Sequence, residues 1–217
     1  MAFVFRWAPR WPWLPELGAG MVPAGLGQGP DSALPELPRA FVEWVQRSEA
    51  VGVKLQLAGP VTLSACAAER ELAEIAERVL RTARGWMAQV GGPGMLVLDE
   101  PMLSASVSSS AERGLQELVG ALKSEGWAVG LHCCAPPPFP LLNTLGLDLL
   151  SVDTVRYGAA LEAGGFEGQV LWGAVAVEDC AVGAVGPGWV TPSCGLALQT
   201  VAQAERVMGV VARLAGQ

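Results

Sequence analysis

Charge is scarce in this sequence, and basic charge is the scarcer sign. Only 16% of the 217 residues are charged, and 14 Lys and Arg stand against 21 Asp and Glu for a net charge of −7. The basic residues form no cluster. That argues against a nucleic-acid partner, because a phosphate backbone has to be neutralised by grouped cations. Long apolar runs are missing as well. Although 51% of the residues are hydrophobic, Gly, Pro or a charge interrupts each run before it reaches the length of a membrane span. The opening stretch MAFVFRWAPRWPWLPELG holds Pro9, Pro12 and Pro15 and no continuous apolar centre, so it does not read as a secretory signal. A cytoplasmic chain is the expectation, and in that reducing compartment the five cysteines read as free thiols or metal ligands rather than disulfides. A glycine-rich phosphate loop is also lacking: GGPG at 91–94 precedes an apolar run instead of following one. Histidine occurs once, at His132.

What remains is consistent with one domain over 1–217, long enough to bury a substantial core. Residues 1–38 form its exception, a segment rich in Trp, Pro and Gly that shows no sustained period from 7 to 38. From Val53 onward, short apolar runs recur as VKLQLAG (53–59), MLVLDE (95–100), WAVGLHC (127–133), LDLLSVD (147–153), VLWGAVAV (170–177) and GWVTPSC (188–194). Such runs suit strands buried on both faces of a parallel sheet. Between them, Leu72, Ile75, Ala76, Val79, Leu80, Ala83 and Met87 keep the three/four spacing of one helical face. Ser109 with Glu112 reads as a capping box and Gly126 as the stop of that helix. Thr200 with Gln203 could cap a last helix carrying Val207, Met208, Val211 and Leu214. Strand, helix, strand in repetition implies parallel βα units, which leaves an open doubly wound sheet or a barrel.

The polar residues gather where the apolar runs end: Gly59-Pro60, Asp99-Glu100, His132-Cys133-Cys134, Asp153 and Cys194. In a parallel barrel the C-terminal strand ends make the active face. Residues two apart on a strand share a side, so His132 and Cys134 can converge while Cys133 points away. Imidazole and thiolate together suit a borderline-soft ion such as Zn²⁺, and Asp153 and Cys194, at the ends of later strands, could complete a set of four. Spacing alone leaves a second reading open, in which His132 and its cysteines are ordinary core residues. Cys66 and Cys180 fall in helical or loop context and read as core or neutral. Asp99 and Glu100 could equally be a solvated turn before Pro101, and Asp153 could cap the helix that follows it.

The ordered set VKLQLAGPVTL, LVLDEP, GLHCCA, LLSVDT, VLWGAV and TPSCGLA resembles the catalytic barrel of cobalamin-independent methionine synthase. It is closest to the short single-domain relatives of that enzyme, within the superfamily that includes uroporphyrinogen decarboxylase. The resemblance covers residues 40–215 and implies a (β/α)₈ TIM-barrel-like fold, shortened or incomplete at the N-terminus. It implies zinc held by His132, Cys134 and Cys194, with Asp153 aligned to a Glu that is a further ligand in the synthase. Asp153 would then fill the fourth place and be displaced by substrate, or lie just behind the ligands. Asp99 takes the place of the Asp that binds the amino group of homocysteine.

The sequence also departs from that family. The family's first strand, with a Gly-Ser signature, has no counterpart before Arg10, and FVFR at 3–6 is its sole candidate remnant. Asp for Glu at 153 shortens the reach by one methylene. The folate-binding half of the full synthase has no counterpart. The expectation is a zinc-dependent methyltransferase acting on a small thiol such as homocysteine, with methylfolate or a methylcorrinoid as methyl donor. The alternatives are a corrinoid-linked thiol methyltransferase served by a partner corrinoid protein, and a catalytically reduced relative that binds a metal or thiol. An incomplete barrel exposes strand edges, so residues 7–38, or a second copy in a homodimer, are expected to cover the gap.

Overall fold

All six apolar runs are strands, and their order in the sheet is their order in the chain. The computed structural model describes residues 3–5, 37, 39–47, 52–66, 72–91, 94–103, 107–196 and 198–216. Its strands are β1 (Phe3–Phe5), β2 (Gly52–Ala58), β3 (Gly94–Asp99), β4 (Trp127–Cys133), β5 (Leu149–Asp153), β6 (Gln169–Val175) and β7 (Trp189–Pro192). The helices are α1 (Arg39–Arg47), α2 (Pro60–Cys66), α3 (Leu72–Val90), α4 (Ser109–Ser124), α5 (Phe139–Leu142), α6 (Thr154–Gly164) and α7 (Val201–Ala215). One sheet runs β1 to β7 in sequence, with β2 through β7 parallel.

That order decides between the two architectures. A doubly wound sheet reverses its strand order so that helices fall on both faces. Here the order never reverses, and right-handed crossovers then leave the helices on one side. The six parallel strands curl into a half-barrel interleaved with helices, compatible with a TIM-barrel-like fold that is incomplete. Phe3–Phe5 does join as a seventh strand, but it pairs antiparallel with β2, through Phe3 with Lys54 and Phe5 with Gly52. It lines the edge of the sheet and is not a further parallel βα unit. The segment 7–38, expected to wrap the gap, lies outside the described residues except for Leu37, which is buried in the core.

Alternation divides each strand between two environments. Leu55, Leu96, Val129, Cys133 and Val152 pack with Ile75, Val79, Trp86, Leu115 and Leu122 of the helices in the main core. The opposite, inner face carries a small apolar group of Met95, Val97, Leu149 and Leu171. Polar residues share that face with small ones such as Ala58 and Gly130. By strand parity the polar residues are Lys54, Gln56, Asp99, His132, Ser151 and Asp153, and all but Gln56 and Asp99 are buried.

The helices follow their patterns with one shift. In α3 the expected Ile75, Val79, Leu80 and Ala83 are buried, joined by Trp86. Thr200 caps α7, its Oγ1 accepting from Gln203 N at 3.2 Å, and Val207 and Val211 are buried. The cap of α4 is Ser108, whose Oγ accepts from Ala111 N at 3.3 Å, rather than Ser109. Glu112 therefore sits one place too late to close a capping box, and it accepts instead from Thr144 Oγ1 at 3.0 Å. Gly126 ends the element at φ +90, a conformation that suits glycine.

Candidate metal centre

β4 runs parallel between β3 and β5, so its last inner-facing residue, His132, lies beside Asp99 on one side and Ser151 on the other. His132 Nδ1 is 3.0 Å from Ser151 Oγ. His132 Nε2 is 2.9 Å from the Sγ of Cys134, one residue beyond the strand end. Cys134 Sγ lies 3.5 Å from Cys194 Sγ, which follows β7. One donor atom from each of His132, Cys134 and Cys194 falls within 4.8 Å of the other two, and this is the one such group of three or more among the described residues. Two residues of sequence proximity and 60 residues of folding thus end at one point. Cys133 points the other way, as alternation requires, and is fully buried against the helices.

The electrostatics of the pair follow from its closeness. Two thiols in contact share one proton more readily than they lose both. Hydrogen bonds from Cys134, and then from His132, pull the Cys194 thiol well below its ordinary value. The same contact with Cys194, with burial next and the Asp99 charge among the further causes, pushes Cys134 up. Burial raises Cys133. With Nδ1 turned to Ser151, Nε2 is the ring atom that faces the sulfurs, as a donor to a thiolate or, once Nδ1 carries the proton, as a lone pair for a metal ion. That is the arrangement in which a ligating imidazole is held by a partner behind it. Ser151 was not singled out from sequence. Its signal was parity, since it sits two residues before Asp153 on an inner face.

Asp153 is close by in the fold but engaged elsewhere. Its side chain is the N-cap of α6, with Oδ1 accepting from Arg156 N at 3.1 Å and Oδ2 3.6 Å from Arg156 Nε. It is not part of the three-residue donor group. Of the two roles left open for it, this geometry is that of the cap.

Asp99 and Glu100 do not form a solvated turn. Glu100 has no exposed surface. Its carboxylate accepts from Val61 N at 2.9 Å and from Thr62 N and Thr62 Oγ1 at 2.7 Å each, seating the start of α2. Burial raises its pKa against those hydrogen bonds. This explains Gly59, where a Cβ would overlap the Glu100 carboxyl group. Asp99 turns to the inner face, where Oδ1 accepts from Gln56 Nε2 at 2.5 Å. Cys66 ends α2, and Cys180 lies in the loop after β6 with φ 64, partly buried and 3.7 Å from Gln203 Nε2.

No protein-family model matches this chain, and no curated protein sequence is similar to it. The chemistry of the site therefore has to be read from its own donors. An imidazole and two thiols, one of them already inclined to ionise, can hold a metal ion, and the set suits a borderline-soft divalent ion. Among the described residues no helix is long and apolar enough to cross a membrane.

Proposed function

We propose that this protein is a zinc-dependent methyltransferase that transfers a methyl group to a small thiol, on an incomplete TIM-barrel-like scaffold. The observation that carries the reading is the convergence of His132, Cys134 and Cys194 at the C-terminal ends of the parallel strands, where barrels of this kind keep their reacting groups. The resemblance of the ordered strand-end motifs to cobalamin-independent methionine synthase supplies the reaction class. Three protein ligands suit a catalytic rather than a structural zinc site, because a fourth position stays open. His132, Cys134 and Cys194 would hold the zinc, which when bound would supply the positive charge that lowers the pKa of a substrate thiol and so favours its nucleophilic form.

The residues around the ligands do the rest. Ser151 fixes the His132 ring, and Asp99 presents a carboxylate toward a cationic group on the substrate, as homocysteine would carry. A second reading, a relative that binds a metal or thiol without methyl transfer, draws support from one feature. Among the described residues the parallel sheet has six strands where a full barrel has eight, and the strand beyond β2 runs antiparallel.

Metal analysis of protein purified without chelator tests the proposal, with about one zinc per chain expected. Protein that holds no stoichiometric metal and takes up neither Zn²⁺ nor Co²⁺ would overturn it. Thiol methylation assayed with methylfolate and with a methylcorrinoid then separates the readings. Turnover with the first supports the synthase-like reaction, turnover with the second the corrinoid-linked one, and metal without turnover the reduced relative.

A further inference from the structure

Lys54 is a buried cation in the inner wall of the sheet, and the zinc chemistry makes no use of it. Its residue is 4% exposed, and burial lowers its pKa to about 8, with the Asp99 charge opposing that shift. At neutral pH it is still mostly charged. An apolar side chain at this position would avoid the desolvation cost altogether. The ammonium is placed for a purpose: Nζ donates to Gln56 Oε1 at 2.5 Å, and Gln56 Nε2 donates to Asp99 Oδ1 at 2.5 Å. Each donor faces an acceptor, so the three groups polarise one another in a single direction, from cation to carboxylate. The line climbs the inner face from Lys54 to the level of His132, with which Asp99 pairs in register. Its far end reaches the cluster through that pairing, since His132 Nε2 lies 2.9 Å from Cys134 Sγ.

We propose that Lys54 is a positioning residue which, through Gln56, holds the Asp99 carboxylate at the wall of the Cys134–Cys194 cluster, so that the site favours partners carrying a positive charge. The proposal rests on the function above only in taking that cluster as the place where substrate meets protein. The Gln56 amide is the necessary link. A carboxylate held at one oxygen by a pre-oriented donor keeps its direction, whereas one released into the inner face can rotate away from the thiols. Loss of the Lys54 charge by itself would leave the site more negative and draw cations in. Loss of positioning acts the opposite way.

The test is alkylation of the metal-free protein, which runs whether or not zinc proves to be the cofactor. Rates with cationic 2-bromoethylamine and neutral iodoacetamide are measured at Cys194 by mass spectrometry at low ionic strength, with Cys180 as the internal reference. In the parent the cationic reagent should be favoured at Cys194 over Cys180 by about two- to fivefold, the fold-change of one exposed charge pair. Gln56→Met and Lys54→Met should each bring that ratio to about one without changing it at Cys180, and Lys54→Arg should restore most of it. Gln56→Met keeps every charge, so it isolates positioning even if Lys54→Met folds poorly. A ratio that is unchanged in Gln56→Met, or that rises in both Met variants, overturns the proposal.

Discussion

Two sulfurs 3.5 Å apart cannot both ionise cheaply, and this couples every residue of the site. Removing Cys134 therefore does more than delete one ligand. Cys134→Ser replaces a soft sulfur donor by a hard hydroxyl and removes the thiol that hydrogen-bonds to Cys194. Zinc affinity, measured by competition with a zinc-sensitive dye, should fall by more than the ~100-fold seen when a residue behind the ligands is changed. Asp153→Asn should hardly move it, because Asn caps a helix as well as Asp does and the Asp153 carboxylate is occupied at α6. Parent-like zinc affinity in Cys134→Ser would remove the basis of the metal assignment. A large loss in Asp153→Asn would make Asp153 a fourth ligand. Lys54 yields a pH prediction. Its folded pKa of about 8 lies below the ordinary 10.5, so between those values the unfolded chain binds more protons and stability rises with pH. Relative to Lys54→Met, the parent should gain about 3 kcal/mol between pH 8 and 10.5, at ~1.4 kcal/mol per pH unit. Urea unfolding of the two proteins across that range checks it, and parallel curves would show that Lys54 is not buried as a cation.

At the scale of elements, the local patterns predicted positions to within two residues, and the misses have local causes. Three serines in succession, Ser108 to Ser110, offer three candidate caps for α4. Pairing with Glu112 points to Ser109, but the backbone turns extended at Ser108, φ −65 and ψ 149, and the cap goes there. Ser108→Ala should cost about 1 kcal/mol in thermal or urea unfolding and Ser109→Ala a few tenths at most. Equal losses would show that the cap is shared. The start of α2 depends on a tertiary contact instead, since its first amides bond to Glu100 of the neighbouring strand end. Gly59→Ala forces that carboxylate away and leaves the amides without their acceptor. A loss on the order of 1–3 kcal/mol is expected from unfolding curves, and a neutral result would mean that Glu100 can move without cost.

For the whole molecule, the His132, Cys134 and Cys194 donor group joins β4 to the loop after β7, which are separated in the sheet by β5 and β6. A ligand that binds only where those strands are correctly curled stabilises the folded chain through mass action. Zinc at a hundredfold excess over its Kd should add about 2.7 kcal/mol to the unfolding free energy, EDTA should reverse the gain, and Cys134→Ser should show none. Melting curves with and without metal measure this. A gain of equal size in Cys134→Ser would place the stabilising metal elsewhere. Among the described residues β7 is the far edge of the sheet, and β1 lines the other side through its antiparallel pairing.

Much of this was legible in the sequence because it depends on neighbours a few residues apart. Apolar runs broken by Gly and Pro set the six strands, three/four spacing set the faces of α3 and α7, and alternation separated Cys133 from His132 and Cys134. The placement of polar residues at strand ends pointed to His132, Cys134 and Cys194 as a possible donor group, and these three do come together. Other features depend on how twist and helix packing add up over several strands. They include the curl of the sheet and the direction of β1. They also include the meeting of Cys134 with Cys194 across 60 residues, the Ser151 contact behind His132, and the engagement of Asp153 with α6 rather than the cysteines. Asp99 stood out in sequence as a strand-end carboxylate, whereas Lys54 and Gln56 did not, and only the parallel register of β2 with β3 makes the three one line. Periodicity is written in short-range order, whereas which strand ends meet is decided by geometry summed over the whole sheet.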